Sequence, residues 1–184
     1  MIKISWLLFF ICSIAFGQRA NFFKEDITFR LDNLHLDVEG YYWFANNSDK
    51  PVSSDIFYPF PNSSGEKIDS IRLFNISAGQ KTLYKLEGSN GISFDLFIAP
   101  HDTVLFQIGY RQSIFGDSVV YILRTTQGWG KPLQYAEYKL IVPTDFKIKN
   151  FSYQPDKSYD IENQKIYYWK MENFMPHRDM VFYF

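Results

Sequence analysis

The sequence predicts an all-β fold, with two antiparallel sheets closed face to face as a sandwich. Three observations predict it. Alternation of apolar and polar residues recurs along most of the chain after Asp26, the pattern of strands that bury one face. Clusters of Asn, Asp, Gly and Pro separate the alternating runs, as turns between short strands do. Aromatic residues are dense, with 19 Phe, 13 Tyr and 4 Trp in 184 residues, and such rings favour pleated, half-buried surfaces. No window of a dozen residues carries a helical stripe, and no internal repeat divides the chain.

The elements follow in order. Lys3 opens an apolar run from Ile4 to Phe16 that stops at Gly17-Gln18. A charged start, a short greasy middle and a small residue at the cut are the layout of a secretory signal peptide. The run is shorter than a permanent span needs. Residues 1–17 are therefore expected to be a leader and 18–184 a single domain, exported to the periplasm or beyond and without an integral membrane span. Strands are expected at Ile27–Leu31 and Leu34–Phe44. In the second, Leu34, Leu36, Val38, Gly40, Tyr42 and Phe44 share one face, against His35, Asp37, Glu39, Tyr41 and Trp43 on the other. Further strands are expected at Ser54–Tyr58, Ile68–Phe74, Thr82–Leu86, Ile92–Ile98, Val104–Tyr110, Val119–Thr125, Ala136–Val142, Lys165–Met171 and Met180–Tyr183. Pro59 and Pro61 flank Phe60 and should end a strand, because neither can donate to a ladder. The stretch Phe146–Gln164 is weakly patterned and reads as a strand plus a loop, or as a long loop.

Composition removes several function classes. Loss of the leader, whose one charge is Lys3, takes the formal charge from −1 to −2. That balance does not favour nucleic-acid binding, which uses clustered Lys and Arg. The one cysteine, Cys12, lies in the leader, so the mature chain is expected to have no disulfide and no thiolate chemistry. Ile11 precedes Cys12, where a lipid-attachment signal carries a small residue.

Three segments resemble a known group of proteins. They are Tyr42–Pro51 running on to Tyr58-Pro59-Phe60-Pro61, Tyr121–Leu133 with its Thr125-Thr126-Gln127-Gly128-Trp129 element, and Tyr167–Pro176. The chain resembles secreted bacterial immunoglobulin-like β-sandwich domains of unknown function. The resemblance implies an immunoglobulin-like architecture and brings no activity to any residue.

Motifs for chemistry are sparse. His35, His101 and His177 do not stand at metal-binding spacing from one another. His35 shares a strand face with Asp37 and Glu39, which reads first as a solvated face. No Gly-x-Ser-x-Gly element and no phosphate loop occurs. His101-Asp102-Thr103 follows Pro100 and reads as a turn. No catalytic residue, metal or cofactor is assigned. The candidate ligand contacts are aromatic: Trp129 between Gly128 and Gly130, Tyr41 and Trp43 on the polar strand face, and Tyr167 and Trp169 on a late strand. Exposed rings of this kind stack on sugars or anchor a protein partner, whereas covered rings serve the core. The leading expectation is an exported, non-catalytic β-sandwich with a binding or structural role, its partner a glycan or an envelope protein. The alternatives are a small outer-membrane barrel, suggested by Met180, Phe182 and Phe184 alternating at the end, and a glycan-active enzyme or its accessory domain.

Overall fold

A computed structural model describes residues 20–61 and 67–184. The expected leader and Cys12 lie outside the described residues. The strands are β1 (Asn21–Leu31), β2 (His35–Ala45), β3 (Val52–Pro59), β4 (Ile68–Asn75), β5 (Gln80–Lys81), β6 (Lys85–Leu86), β7 (Gly91–Ile98), β8 (Thr103–Ser113), β9 (Ser118–Tyr121), β10 (Leu133–Pro143), β11 (Asn150–Phe151), β12 (Lys157–Ile161), β13 (Gln164–Phe174) and β14 (Met180–Tyr183). One 3-10 helix, Arg124–Trp129, joins β9 to β10.

Eight strands form one large sheet in the order β12-β13-β10-β1-β2-β8-β4-β5. Two three-stranded sheets, β3-β7-β6 and β11-β14-β9, pack side by side on one of its faces. Ring contacts fix that placement. Phe94 of β7 meets Phe106 of β8, with ring centres 5.3 Å apart. Phe182 of β14 meets Phe29 of β1 at 5.2 Å and Trp169 of β13 at 5.9 Å. The apolar rows close here: Ile27, Phe29, Leu36, Val38, Ile108, Leu140, Val119, Ile92 and Leu96 are all buried. The opposite face of the large sheet carries the polar rows, where Arg111 pairs with Asp37 at 2.9 Å and Arg30 with Glu39 at 3.6 Å. The carboxylates beside His35 are therefore matched with cations from neighbouring strands.

Several expectations need correction. The large sheet is mixed: β1 runs parallel to β10, from Lys24 opposite Tyr135 to Arg30 opposite Ile141. Alternation has the same period in both senses, so it carries no information on strand direction. Sheet order runs from a free β12 to a free β5, so the described strands do not close into a barrel. The expected strand Val119–Thr125 stops at Tyr121, and a 3-10 turn begins at Arg124. Of the expected strand Thr82–Leu86 only Lys85–Leu86 pairs, as β6, and Thr82–Tyr84 form a gap after β5. Leu34 belongs to the turn before β2 and is 68% exposed, because the Asp32 carboxylate there accepts from the backbone N–H groups of Leu34 and His35. The weakly patterned stretch contains β11 and β12. All five residues of β12 are exposed, and an edge strand without a buried face needs no alternation.

Candidate functional site

The two small sheets are not hydrogen-bonded to each other, and the seam between them lies over β1 and β2. Tyr42 of β2 rises into this seam. Its hydroxyl lies 2.8 Å from that of Tyr58 on β3 and 2.9 Å from that of Tyr121 on β9. Tyr58 and Tyr121 complete the triangle at 3.5 Å. One hydroxyl comes from each of the three sheets, so the buried polar tips satisfy one another. Gly40 makes the position of Tyr42 possible. A Cβ at Gly40 would lie 2.2 Å from the Tyr42 hydroxyl, because residues i and i+2 share a strand face and the ring lies flat over its neighbour.

Beside the triangle sits Glu25, 3% exposed. Its register explains the burial. Glu25 pairs with Tyr42 and lies two and four residues before Ile27 and Phe29, so alternation alone sets it on their inner row. The bulge between Phe22 and Lys24 then turns Phe22 to the same side. The Tyr138 hydroxyl of β10 donates to the Glu25 carboxyl. Burial pushes that carboxyl up to about 7, against a smaller opposing effect of the Tyr138 bond. Burial also holds Tyr42, Tyr58, Tyr121 and Tyr138 well above their ordinary range, reinforced by the nearby Glu25. All four phenols are therefore protonated wherever the protein works.

A cavity of about 100 Å³ opens along this seam. Glu25, Tyr42, Tyr58 and Tyr121 supply its polar groups, and Phe22, Phe44, Phe94 and Trp129 supply most of its apolar wall. Trp129 closes the outer end, its ring 5.7 Å from Phe22 and 5.5 Å from Phe44. A more open pocket of about 290 Å³, which reaches Ser54 and Asp55, shares Ile56, Phe57, Thr125 and Trp129 with the inner cavity. These side chains stand between an inner cavity and an outer vestibule.

The 3-10 helix holds Trp129 there. The Asp179 carboxylate accepts from the backbone N–H groups of Leu123 and Arg124, each at 3.0 Å, and from the Arg124 side chain. Burial works to raise the Asp179 carboxyl, but these donors together outweigh it and the net shift is downward. At the other end Gly130 turns left-handed (φ 71°) and its N–H bonds back to the Gln127 carbonyl. A non-glycine residue would be strained there.

The five aromatic candidates separate into three places. Trp129 lies at the mouth of the seam. Tyr41 and Trp43 lie on the opposite, open face of the large sheet, 6.4 Å apart, with the Lys24 ammonium 4.3 Å over the Trp43 ring. Tyr167 and Trp169 point into the core side. Trp169 is fully buried and its indole N–H donates to the Tyr153 carbonyl at 2.9 Å, while Tyr167 packs on Phe151 at 4.9 Å. No groove joins the three places. Glu25 and Tyr138 were not among the sequence candidates. The signal for Glu25 was an alternation carried one step upstream of Ile27, to an acidic residue in an apolar row. The bulge at Phe22–Lys24 obscures it.

Among the described residues, no three His, Cys, Asp or Glu side chains stand close enough to hold a metal ion. No described helix is long and apolar enough to cross a membrane.

No protein-family profile and no curated protein matches the chain. Solved structures do. One, from Legionella pneumophila, is described as "a putative nutrient binding protein": it aligns at a TM-score of 0.69 and 14% identity, over 90% of this chain and 67% of that one. An M1 zinc metallopeptidase from Deinococcus radiodurans aligns at a TM-score of 0.56 and 12% identity, over 91% of this chain and 43% of the peptidase. A two-domain M1 zinc metallopeptidase variant bound to L-arginine aligns at a TM-score of 0.55 and 12% identity, over 91% of this chain and 43% of that one. This chain therefore spans less than half of those peptidases. At such identities the likeness is one of fold.

Proposed function

We propose that this chain is an exported, non-catalytic binding domain that admits a small, largely apolar ligand to the seam beneath Trp129. The observation that carries the reading is the cavity itself: aromatic walls, a few convergent polar groups and one perturbed carboxyl, the usual make-up of a small-molecule site. The description of the Legionella protein supports a binding role, and the leader pattern of residues 1–17 supports export. The layered sheets support a sandwich, while the parallel pairing of β1 with β10 departs from an all-antiparallel immunoglobulin arrangement. Glu25 faces phenols and aromatic rings, the surroundings of a binding group.

A thermal-melt screen of the purified chain against small alcohols, amines and carboxylic acids tests the reading. A compound that binds the folded state raises the melting temperature. Hits should lose at least about tenfold in affinity, roughly 1.4 kcal/mol, in Trp129→Ala and keep it in Trp43→Ala. The reverse pattern would move recognition to the open sheet face, where a glycan or envelope partner would meet Tyr41 and Trp43, and would end the seam reading.

A further inference from the structure

The geometry points to a small organic ammonium ion as the ligand of the seam, its charge against Glu25 and its hydrocarbon body among Phe22, Phe44, Phe94 and Trp129. This inference rests on the seam being a ligand site.

Charge decides the class. Among the described residues, the inner cavity holds one carboxyl group, Glu25, and the outer vestibule another, Asp55, and no Lys, Arg or His lines either of them. An anion would meet two acids and no cation. A neutral alcohol would gain hydrogen bonds and nothing more. A cation gains the carboxylate at low dielectric, where pairing is strongest, and the faces of nearby rings, which attract ammonium groups. An N–H-bearing ammonium also has donors for the carboxylate and for the phenol oxygens.

Size limits the buried part. An apolar cavity of about 150 Å³ admits benzene, so the inner 100 Å³ holds about four or five heavy atoms. A longer ligand would run past Trp129 toward Asp55. The two spaces already share Ile56, Phe57, Thr125 and Trp129, so they adjoin across these side chains.

Proton linkage gives a readout that packing alone would not. The titratable groups facing Glu25 are Tyr138 from β10, Tyr42 from β2, Tyr58 from β3 and Tyr121 from β9, all kept protonated by burial. Glu25 is therefore the group that changes charge near neutrality. Below about pH 7 it is mostly protonated in the empty site, so an entering ammonium displaces that proton to solvent. Binding at pH 6 should release close to one proton per ligand.

Titration calorimetry with n-butylammonium, n-butanol and butyrate tests the inference. Butylammonium should bind at least about tenfold more tightly than either isostere. It should release its proton at pH 6, detected by repeating the titration in buffers of different ionisation enthalpy. Glu25→Gln should abolish both the preference and the release. Equal or tighter binding of butanol or butyrate, or butylammonium binding with no proton release, would overturn the ammonium assignment and leave the seam as a site for another ligand. Silence from all three at millimolar concentration, together with an empty thermal-melt screen, would remove the seam reading as well. The proton count on the native chain stands even if the Gln variant does not fold.

Discussion

Glu25 has a consequence for stability with a definite sign. Its carboxyl is raised from 4.5 to about 7 by burial. The folded chain therefore holds a proton that the unfolded chain has already released between those values, and stability falls as pH rises through that window. The whole effect is about 3 kcal/mol, since each pH unit of separation corresponds to about 1.4 kcal/mol. Urea denaturation should show this decline in the native chain between about pH 4.5 and 7, and a much flatter profile in Glu25→Gln, whose amide oxygen still accepts from Tyr138. An unchanged slope in the variant would place the titration elsewhere. Tyr42 and Gly40 work at the same level of detail. The sequence placed both on the inner row of β2, but nothing in the alternation announced that three phenols from three sheets would meet. That meeting is a matter of sheet placement, which local pattern does not encode.

The 3-10 helix Arg124–Trp129 is the element on which the proposed recognition at the seam depends. Its sequence carries two Thr and one Gly, and its first turn is fastened by Asp179, distant in sequence and next to β14. Asp179→Ala should destabilise the fold by about 1–3 kcal/mol, the cost of leaving such donors unmatched. In a Trp43→Phe background it should also make Trp129 more accessible to acrylamide quenching. Unchanged quenching would mean that Phe22 and Phe44 hold the indole without the cap. Alternation predicted a strand through Thr125 because Val119, Tyr121 and Leu123 continue the period; Asp179 terminates it instead. The long strands β2, β7, β8 and β10 were legible because each buries a row of alternate residues, and β13 because its apolar and aromatic residues alternate with charged ones around the buried Trp169. The strands β5, β6, β11 and β12 were not, because two-residue pairings and an exposed edge leave no apolar row to read.

The three sheets share one core. Phe29 touches Tyr121 and Phe182 from one small sheet, and Tyr110 touches Tyr58 of the other. Thermal or urea unfolding should therefore be a single cooperative transition, with far-ultraviolet dichroism and tryptophan fluorescence coincident. Two resolved transitions would show that a small sheet melts on its own. Residue order alone established the β class, most strand positions and which row of β2, β7, β8 and β10 turns inward, because burial of one face imposes a two-residue period on the chain itself. The direction in which β1 meets β10, the seam between the small sheets and the company Glu25 keeps were settled by packing, because residues more than a hundred positions apart meet there, and a local period says nothing about which distant strand it will face.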